Sequence, residues 1–213
     1  MNSWELDLLH QINHEWTSHL LDWLMPALSA IDAWVPLLAL AAILTAIRGG
    51  RRARLMLLCA AFAVAIADGV VCKSLKSAVG RTRPRDAMAG VVIRDLAPGR
   101  PAAARLFKQP VVTISAAPED GRVPGKSFPS SHTANMFAVA TVIALSFRAW
   151  GIVAFVIAAG VAWSRIYVGA HWPGDIPPSI GIGILTGWLV TQAVAKVSAR
   201  VTPRAPRSAG DTG

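Results

Sequence analysis

Apolar runs separated by short polar breaks dominate the chain. The first long one, DAWVPLLALAAILTAI at about residues 32–47, stops at RGGRRAR, a glycine turn carrying four arginines. The second, LMLLCAAFAVAIADGVV, sits in a stretch from about Arg54 to Ser77. A third run begins near Ser131 and ends near Phe147. After a connector at Arg148 a fourth, GIVAFVIAAGVAW, continues to about Tyr167, and a fifth covers about Ile176 to Val197. Runs of this length and greasiness are transmembrane helix candidates. In the fifth, Gly181, Gly183 and Gly187 suit close helix packing, with Gly183 and Gly187 at small-xxx-small spacing. The pattern predicts an all-α, polytopic transmembrane helical bundle.

The flanks are weaker. Residues 4–15, WELDLLHQINHE, place Trp4, Leu8 and Ile12 on an apolar stripe beside acidic and polar positions, as an amphipathic helix at a membrane surface does. Residues 19–30, HLLDWLMPALSA, are apolar but short and carry Asp22 and Pro26, which fits a half-span or a bent helix. That makes five spans, or six if this segment inserts. Residues 80–127 form a long polar loop rich in Pro, Gly and Arg, and the tail TPRAPRSAGDTG, residues 202–213, reads as disordered. Residues 1–201 then form a single membrane-embedded domain.

Composition agrees. Of 213 residues 54% are apolar and the mean hydropathy is +0.46, too high for an ordinary soluble domain. The 21 Lys and Arg against 12 Asp and Glu give +9. In a soluble protein this balance suggests nucleic acid. Here the basic residues fall mainly between apolar runs, so the expected partners are the bilayer and a phosphorylated, anionic substrate, with no nucleic acid. Cys59 and Cys72 share one apolar segment, so no disulfide framework is expected. The N-terminus lacks the basic start and cleavage site of a signal peptide. Trp34, Trp150 and Trp172 stand at predicted span ends, as an aromatic belt requires. The RGGRRAR turn, Arg148 and the basic tail share one side by parity, which favours that side as cytoplasmic. The opposite side holds more basic residues, but several belong to the clusters below.

On that opposite side three polar clusters meet. In KSAVGRTRP, Lys76 and Arg83 are seven apart, about two helical turns, with Gly80 and Pro84 ending the helix and Pro84 holding Arg83 out of the helical region. Alone this reads first as a basic cytoplasmic or headgroup anchor at a helix end. In FPSSHTANMF, Ser130 or Ser131 can cap the helix, whose first-turn N–H groups attract anions, and His132 sits beside them. Alone it is equally a serine cap with an incidental histidine. In SRIYVGAHWPGD, Arg165 precedes His171, and Asp175 follows it by four, so a carboxylate can fix the imidazole tautomer and free the other nitrogen as nucleophile or base. Alone it is equally an interfacial loop anchored by Trp172. Together, three cations, two histidines and an aspartate at the mouth of apolar spans form a phosphate cradle with a nucleophile and a proton donor.

These three segments resemble the signatures of the type 2 phosphatidic acid phosphatase (PAP2) superfamily, K-x6-R-P, P-S-G-H and S-R-x5-H-x3-D, which stand here as Lys76 to Pro84, PSSH at 129–132, and Ser164 to Asp175. The resemblance implies a six-helix core, with residues 4–30 supplying the first element. It makes His171 the nucleophile, Asp175 its orienting partner and His132 the general acid. Lys76, Arg83 and Arg165 hold the phosphate oxygens, aided by Ser130 and the N–H groups near Ser131. Neither metal nor cofactor is expected. Two departures stand out: Ser131 replaces the usual glycine, and two prolines in IPPS open the last helix.

The expected activity is hydrolysis of a lipid phosphate or diphosphate, first undecaprenyl diphosphate, with lipid A phosphate and phosphatidylglycerol phosphate as alternatives. A lipid phosphotransferase, a vanadate haloperoxidase and a non-catalytic scaffold or lipid carrier are the rivals. Bacterial membrane members of the family carry the site on the periplasmic side, so the expected location is the bacterial inner membrane. Outside the motifs, Asp68 reads as structural support. His10, His14 and His19 read as interfacial, with His19 and Asp22 candidates for a substrate entrance, and Arg94, Arg100 and Arg105 as solvated or headgroup-facing.

Overall fold

The computed structural model describes residues 2–116 and 125–201; the tail 202–213 and the loop segment 117–124 lie outside the described residues. Helix α1 (Ser3–His10) runs into a π-helical turn at Gln11–Glu15. Leu9 and Ile12 are buried while Trp4 and Trp16 are exposed, the two-sided pattern of an interfacial helix. His10 and His14 stack on its outer face. Helix α2 (His19–Ser29) starts at Ser18, whose hydroxyl accepts from the Leu21 N–H at 3.2 Å, and at 11 residues it is too short to span.

Helix α3 (Ile31–Arg48) follows directly, then α4 (Arg51–Ile66), a π-helical segment (Ala67–Cys72) and α5 (Lys73–Val79), which form one rod of 29 residues. At ~1.5 Å per residue, the rod sets the RGGRRAR turn about 40 Å from Lys76, at the opposite end of the bundle. After the loop come α7 (Ser131–Ser146), α8 (Arg148–Tyr167) and α9 (Ile176–Val201).

Among the described residues, four helical stretches are long and apolar enough to cross a membrane: Ile31–Arg48, Arg51–Val79, Arg148–Tyr167 and Pro173–Arg200. The remaining expected span is α7, which is 16 residues long and lies at the centre, packed by α4, α8 and α9. Its buried positions are mostly small or polar: Thr133, Ala134, Ala138, Ala140 and Thr141. Helix α9 meets it through the predicted glycine face. A Cβ at Gly183 would lie 2.4 Å from the Ala134 carbonyl oxygen, and one at Gly187 2.5 Å from that of Ala138. Gly181 faces open space instead. The two prolines of IPPS cause no break, because a first helical turn needs no N–H there.

The loop is more ordered than its polar composition predicts. A short helix α6 (Pro84–Ala87) precedes strands β1 (Val92–Asp95) and β2 (Val111–Ile114), which pair antiparallel in the register Val92 to Ile114 and Asp95 to Val111. Strand β2 is wholly β-branched and β1 opens with Val92 and Ile93, the residue types that suit a pleated ribbon. Asn13 anchors the ribbon: its side chain bonds Val92 through both N–H (2.8 Å) and carbonyl (2.8 Å), and donates to the Tyr167 carbonyl (2.7 Å).

Three surface readings are corrected here. Arg94 is buried, paired with Asp22 at 2.6 Å, bonded to the Asn13 carbonyl at 2.9 Å and stacked 4.5 Å from the Tyr167 ring. Asp22 also accepts from the Tyr167 hydroxyl at 2.6 Å, so it ties α2 to α8 instead of lining an entrance. Arg105 pairs with Asp32. In each case a carboxylate distant in sequence claims a cation that composition alone leaves to solvent.

Candidate active site

The three polar clusters come together at one end of the bundle. Helix α5 carries Lys76 and ends at Gly80, whose φ of 64° is the left-handed geometry that glycine adopts without penalty. Arg83 is extended (φ −68°, ψ 151°), as a residue before proline must be. Backbone bonds from Arg83 to Gly125 (3.0 Å) and from Ser127 to Arg81 (2.6 Å) lay this segment beside the approach to α7.

Ser130 caps α7. Its hydroxyl accepts from the Thr133 N–H (3.4 Å) and hydroxyl (3.0 Å), and its own N–H donates to the Ser179 hydroxyl (2.8 Å). Expected among the phosphate-binding groups, Ser130 is fully buried with its polar atoms committed to the fold. The N–H groups of Ser131 and His132 remain as the first-turn donors with no partner among the described residues. Ser131, the departure from the family glycine, accepts a 2.7 Å hydrogen bond from Lys76 Nζ.

The third cluster depends on how α8 ends. Gly169, at φ 69°, makes a turn where a Cβ would meet Val91 Cγ1 at 2.6 Å. The Ala170 and His171 N–H groups both return to the Arg165 carbonyl at 3.1 Å. This turn directs His171 inward, where it is 2% exposed, with Nδ1 3.4 Å from Asp175 Oδ2. That separation is long for a hydrogen bond, as catalytic contacts without substrate often are. The Trp172 N–H donates to the same Asp175 oxygen at 3.0 Å. Trp172 itself is 1% exposed and its indole donates to the Thr82 carbonyl at 2.8 Å, so it packs inside the site and is not a belt anchor.

Lys76, Arg165 and His171 all lie close enough to His132 to act on its charge, and Arg165 and Arg83 act on that of His171. Among the described residues no carboxylate pairs with Lys76, Arg83 or Arg165. Arg165 Nη1 donates to the Ser29 hydroxyl and carbonyl, while its buried Nε has no partner. Buried polar atoms are normally satisfied, so unpaired cationic donors around two histidines fit an anion. Burial pushes the His171 imidazole down to about 4, with the Asp175 carboxylate facing Nδ1 opposing and the Arg165 charge assisting, so it is neutral near pH 7 and its nitrogen lone pair is available. Asp68 is exposed on the π-helical segment, and its charge reaches Lys76 and His132. Among the described residues no group of three or more His, Cys, Asp or Glu is placed to hold a metal ion.

Sequence reasoning missed Arg81, Glu5 and Ser179. Arg81 Nη1 donates to Asp175 Oδ1 at 2.8 Å, and its Nη2 meets both oxygens of Glu5 at 2.7 and 2.8 Å. Arg81 lies inside the KSAVGRTRP motif, where a second arginine two residues before Arg83 is a visible signal. Glu5 had none, since only the fold brings α1 beneath the loop.

The PAP2 superfamily model matches residues 54–199. Among curated proteins, the chain is 27% identical over 188 residues to lipid A 4'-phosphatase of Bacteroides thetaiotaomicron, covering 87% of this chain and 75% of that one. It is 40% identical over 67 residues to undecaprenyl-diphosphatase BcrC of Bacillus subtilis, covering 30% of this chain and 33% of the relative. Among solved structures, LpxE of Aquifex aeolicus superposes with a TM-score of 0.59 at 23% identity, over 90% of this chain and 96% of that one. With the apolar helices that carry the site, these matches establish the chain as a multi-pass membrane protein belonging to the PAP2 superfamily.

Proposed function

We propose that the protein hydrolyses a lipid phosphate ester through a phosphohistidine on His171. The observation that carries this reading is the buried, neutral His171, oriented by Asp175 and faced by cations that have no carboxylate of their own. Asp175 holds the proton on Nδ1, leaving the Nε2 lone pair to attack phosphorus. As the N–P bond forms, the bond from phosphorus to the lipid oxygen breaks, and His132, held protonated by the negative charge of the bound phosphate, delivers its proton to that oxygen. Lys76, Arg83 and Arg165, with the Ser131 and His132 N–H groups, hold the equatorial oxygens and their developing charge. Water then attacks the phosphohistidine, His132 takes its proton, the N–P bond breaks and phosphate leaves. Each step uses the protein's own groups and water, so turnover should persist in EDTA.

For the substrate, the whole-chain likeness to a lipid A 4'-phosphatase favours a glycolipid phosphate of that kind. Undecaprenyl diphosphate, the first expectation from sequence, is the second reading, because that likeness covers only about a third of the chain. The RGGRRAR turn opposite the site favours a periplasmic active site in the bacterial inner membrane. The test is phosphate release by detergent-purified protein from lipid A, undecaprenyl diphosphate, phosphatidylglycerol phosphate and phosphatidic acid, with His171→Ala as control. Release that survives His171→Ala would sink the mechanism. Labelled phosphate appearing on a second lipid instead of in water would make the protein a phosphotransferase.

A further inference from the structure

Glu5 is an anomaly in α1. The helix lies on the outside of the bundle, yet this carboxylate is 5% exposed. A buried carboxylate needs compensation, and Glu5 has it in the Arg81 guanidinium and in the Gly174 N–H, which donates to Oε1 at 3.1 Å. The fit is close: a Cβ at Gly174 would lie 2.4 Å from Oε1. Arg81 spans the gap between two carboxylates, with Nη2 on Glu5 and Nη1 on Asp175 Oδ1 at 2.8 Å. Its guanidinium also stacks over the Trp172 ring at 5.3 Å. Asp175 is therefore gripped on one oxygen by Arg81, while the other faces His171 and the Trp172 N–H.

We propose that Glu5 and Arg81 are positioning residues for the reaction, setting the orientation of Asp175 and the strength with which it accepts the His171 Nδ1 proton. Arg81 alone would fix Asp175 but draw off its charge, making it a poor acceptor. Glu5 shares that guanidinium and returns basicity to Asp175, so the three groups carry one net negative charge toward the imidazole. The N-terminal interfacial helix thereby becomes part of the catalytic apparatus. Partners that orient a catalytic imidazole in this way are worth ~10–100-fold in activity at metal-bound histidines, and a comparable scale is expected here. Arg165 and Arg83 also act on His171 and are unchanged in the test below.

This proposal rests on His171 and Asp175 having the roles assigned above, so its test includes a readout that needs no substrate. In the full-length protein in detergent micelles, the proton resonance of the His171 Nδ1–H reports how strongly Asp175 accepts. Glu5→Gln should move it upfield, because Arg81 then withdraws Asp175 charge unopposed. Arg81→Gln should move it downfield. Each variant should lower kcat by ~10-fold or more with KM within about 3-fold, and neither should lower kcat further in an Asp175→Asn background. Shifts in the same direction, no shift, or full additivity with Asp175→Asn would overturn the proposal, since a purely structural contact predicts those. If Arg81→Gln does not fold, Glu5→Gln decides alone by its upfield shift. A wild-type protein with no phosphatase activity would defeat the proposed function and leave the resonance test standing.

Discussion

Two sets of basic residues on the same side of the bundle meet different fates. Lys76, Arg83 and Arg165 surround two histidines and have no carboxylate partner among the described residues. Arg94 and Arg105, from the loop between them in sequence, each pair with an acid contributed by the N-terminal helices. Residue type and local polarity are the same in both sets. What separates a binding group from a structural one is whether the fold supplies the counter-charge. A satisfied cation is a clamp, whereas an unsatisfied one beside the neutral His171 imidazole is a vacancy for an anion. Arg81 belongs to both sets, since it is satisfied, and one of its partners is Asp175, the carboxylate beside His171.

The contrast can be broken by substitution. The largest effect is expected at the proposed nucleophile: His171→Ala should lower kcat by ~1,000-fold or more and abolish any acid-labile phosphoenzyme, read by quenched labelling. Next come the unsatisfied cations. Arg165→Ala or Lys76→Ala should cost ~100–1,000-fold in kcat/KM while leaving the thermal midpoint unchanged or raised, since relieving cation repulsion helps the empty protein. The clamp should behave in the reverse way. Arg94→Ala should cost about 2 kcal/mol of stability, less than a fully buried pair because Asp22 is partly exposed, and keep kcat of the folded protein within a few-fold. A thermal midpoint in detergent, measured beside kcat, separates the two behaviours. An Arg94→Ala protein of normal stability and no activity would erase the distinction.

The smallest effect concerns pH. The folded pKa of His171 is depressed from 6.5 to about 4, so lowering the pH from 7 to 5.5 should not charge it, although an exposed histidine would be largely protonated by then. Below about 4 the imidazole gains its proton and the nucleophile is lost. An imidazole titration followed by NMR, with His171 assigned by substitution, should show this midpoint well below 6.5. A midpoint near 6.5 would mean that water reaches the site freely.

Much of the fold was legible because a bilayer leaves the backbone few options. Apolar runs of sufficient length must be helices, and glycines at small-xxx-small spacing mark where helices approach closely. The site was legible for a related reason: residues of one signature lie within a few positions of each other, so local spacing encodes their geometry. Gly80 ending α5 and Pro84 extending Arg83 are local effects of this kind. The ribbon of β1 and β2 was missed because two four-residue strands separated by a long insertion leave little periodicity to detect. Trp172 was misread because an indole at a span end serves equally as a belt anchor or as a buried donor, and only its bond to the Thr82 carbonyl distinguishes them.

The sequence by itself determined a helical membrane protein, the end of the bundle where charge collects, and the side chains proposed to bind and cleave a phosphate ester. These follow from hydropathy, short-range spacing and the chemistry of single residues. Only the tertiary structure decided that Ser130 serves the α7 cap and Ser131 serves Lys76, that Arg94 is a clamp, and that Glu5 stands behind Asp175 through Arg81. The physical reason is that a charged group's function depends on its nearest counter-charge, and long-range packing, not local sequence, selects that neighbour.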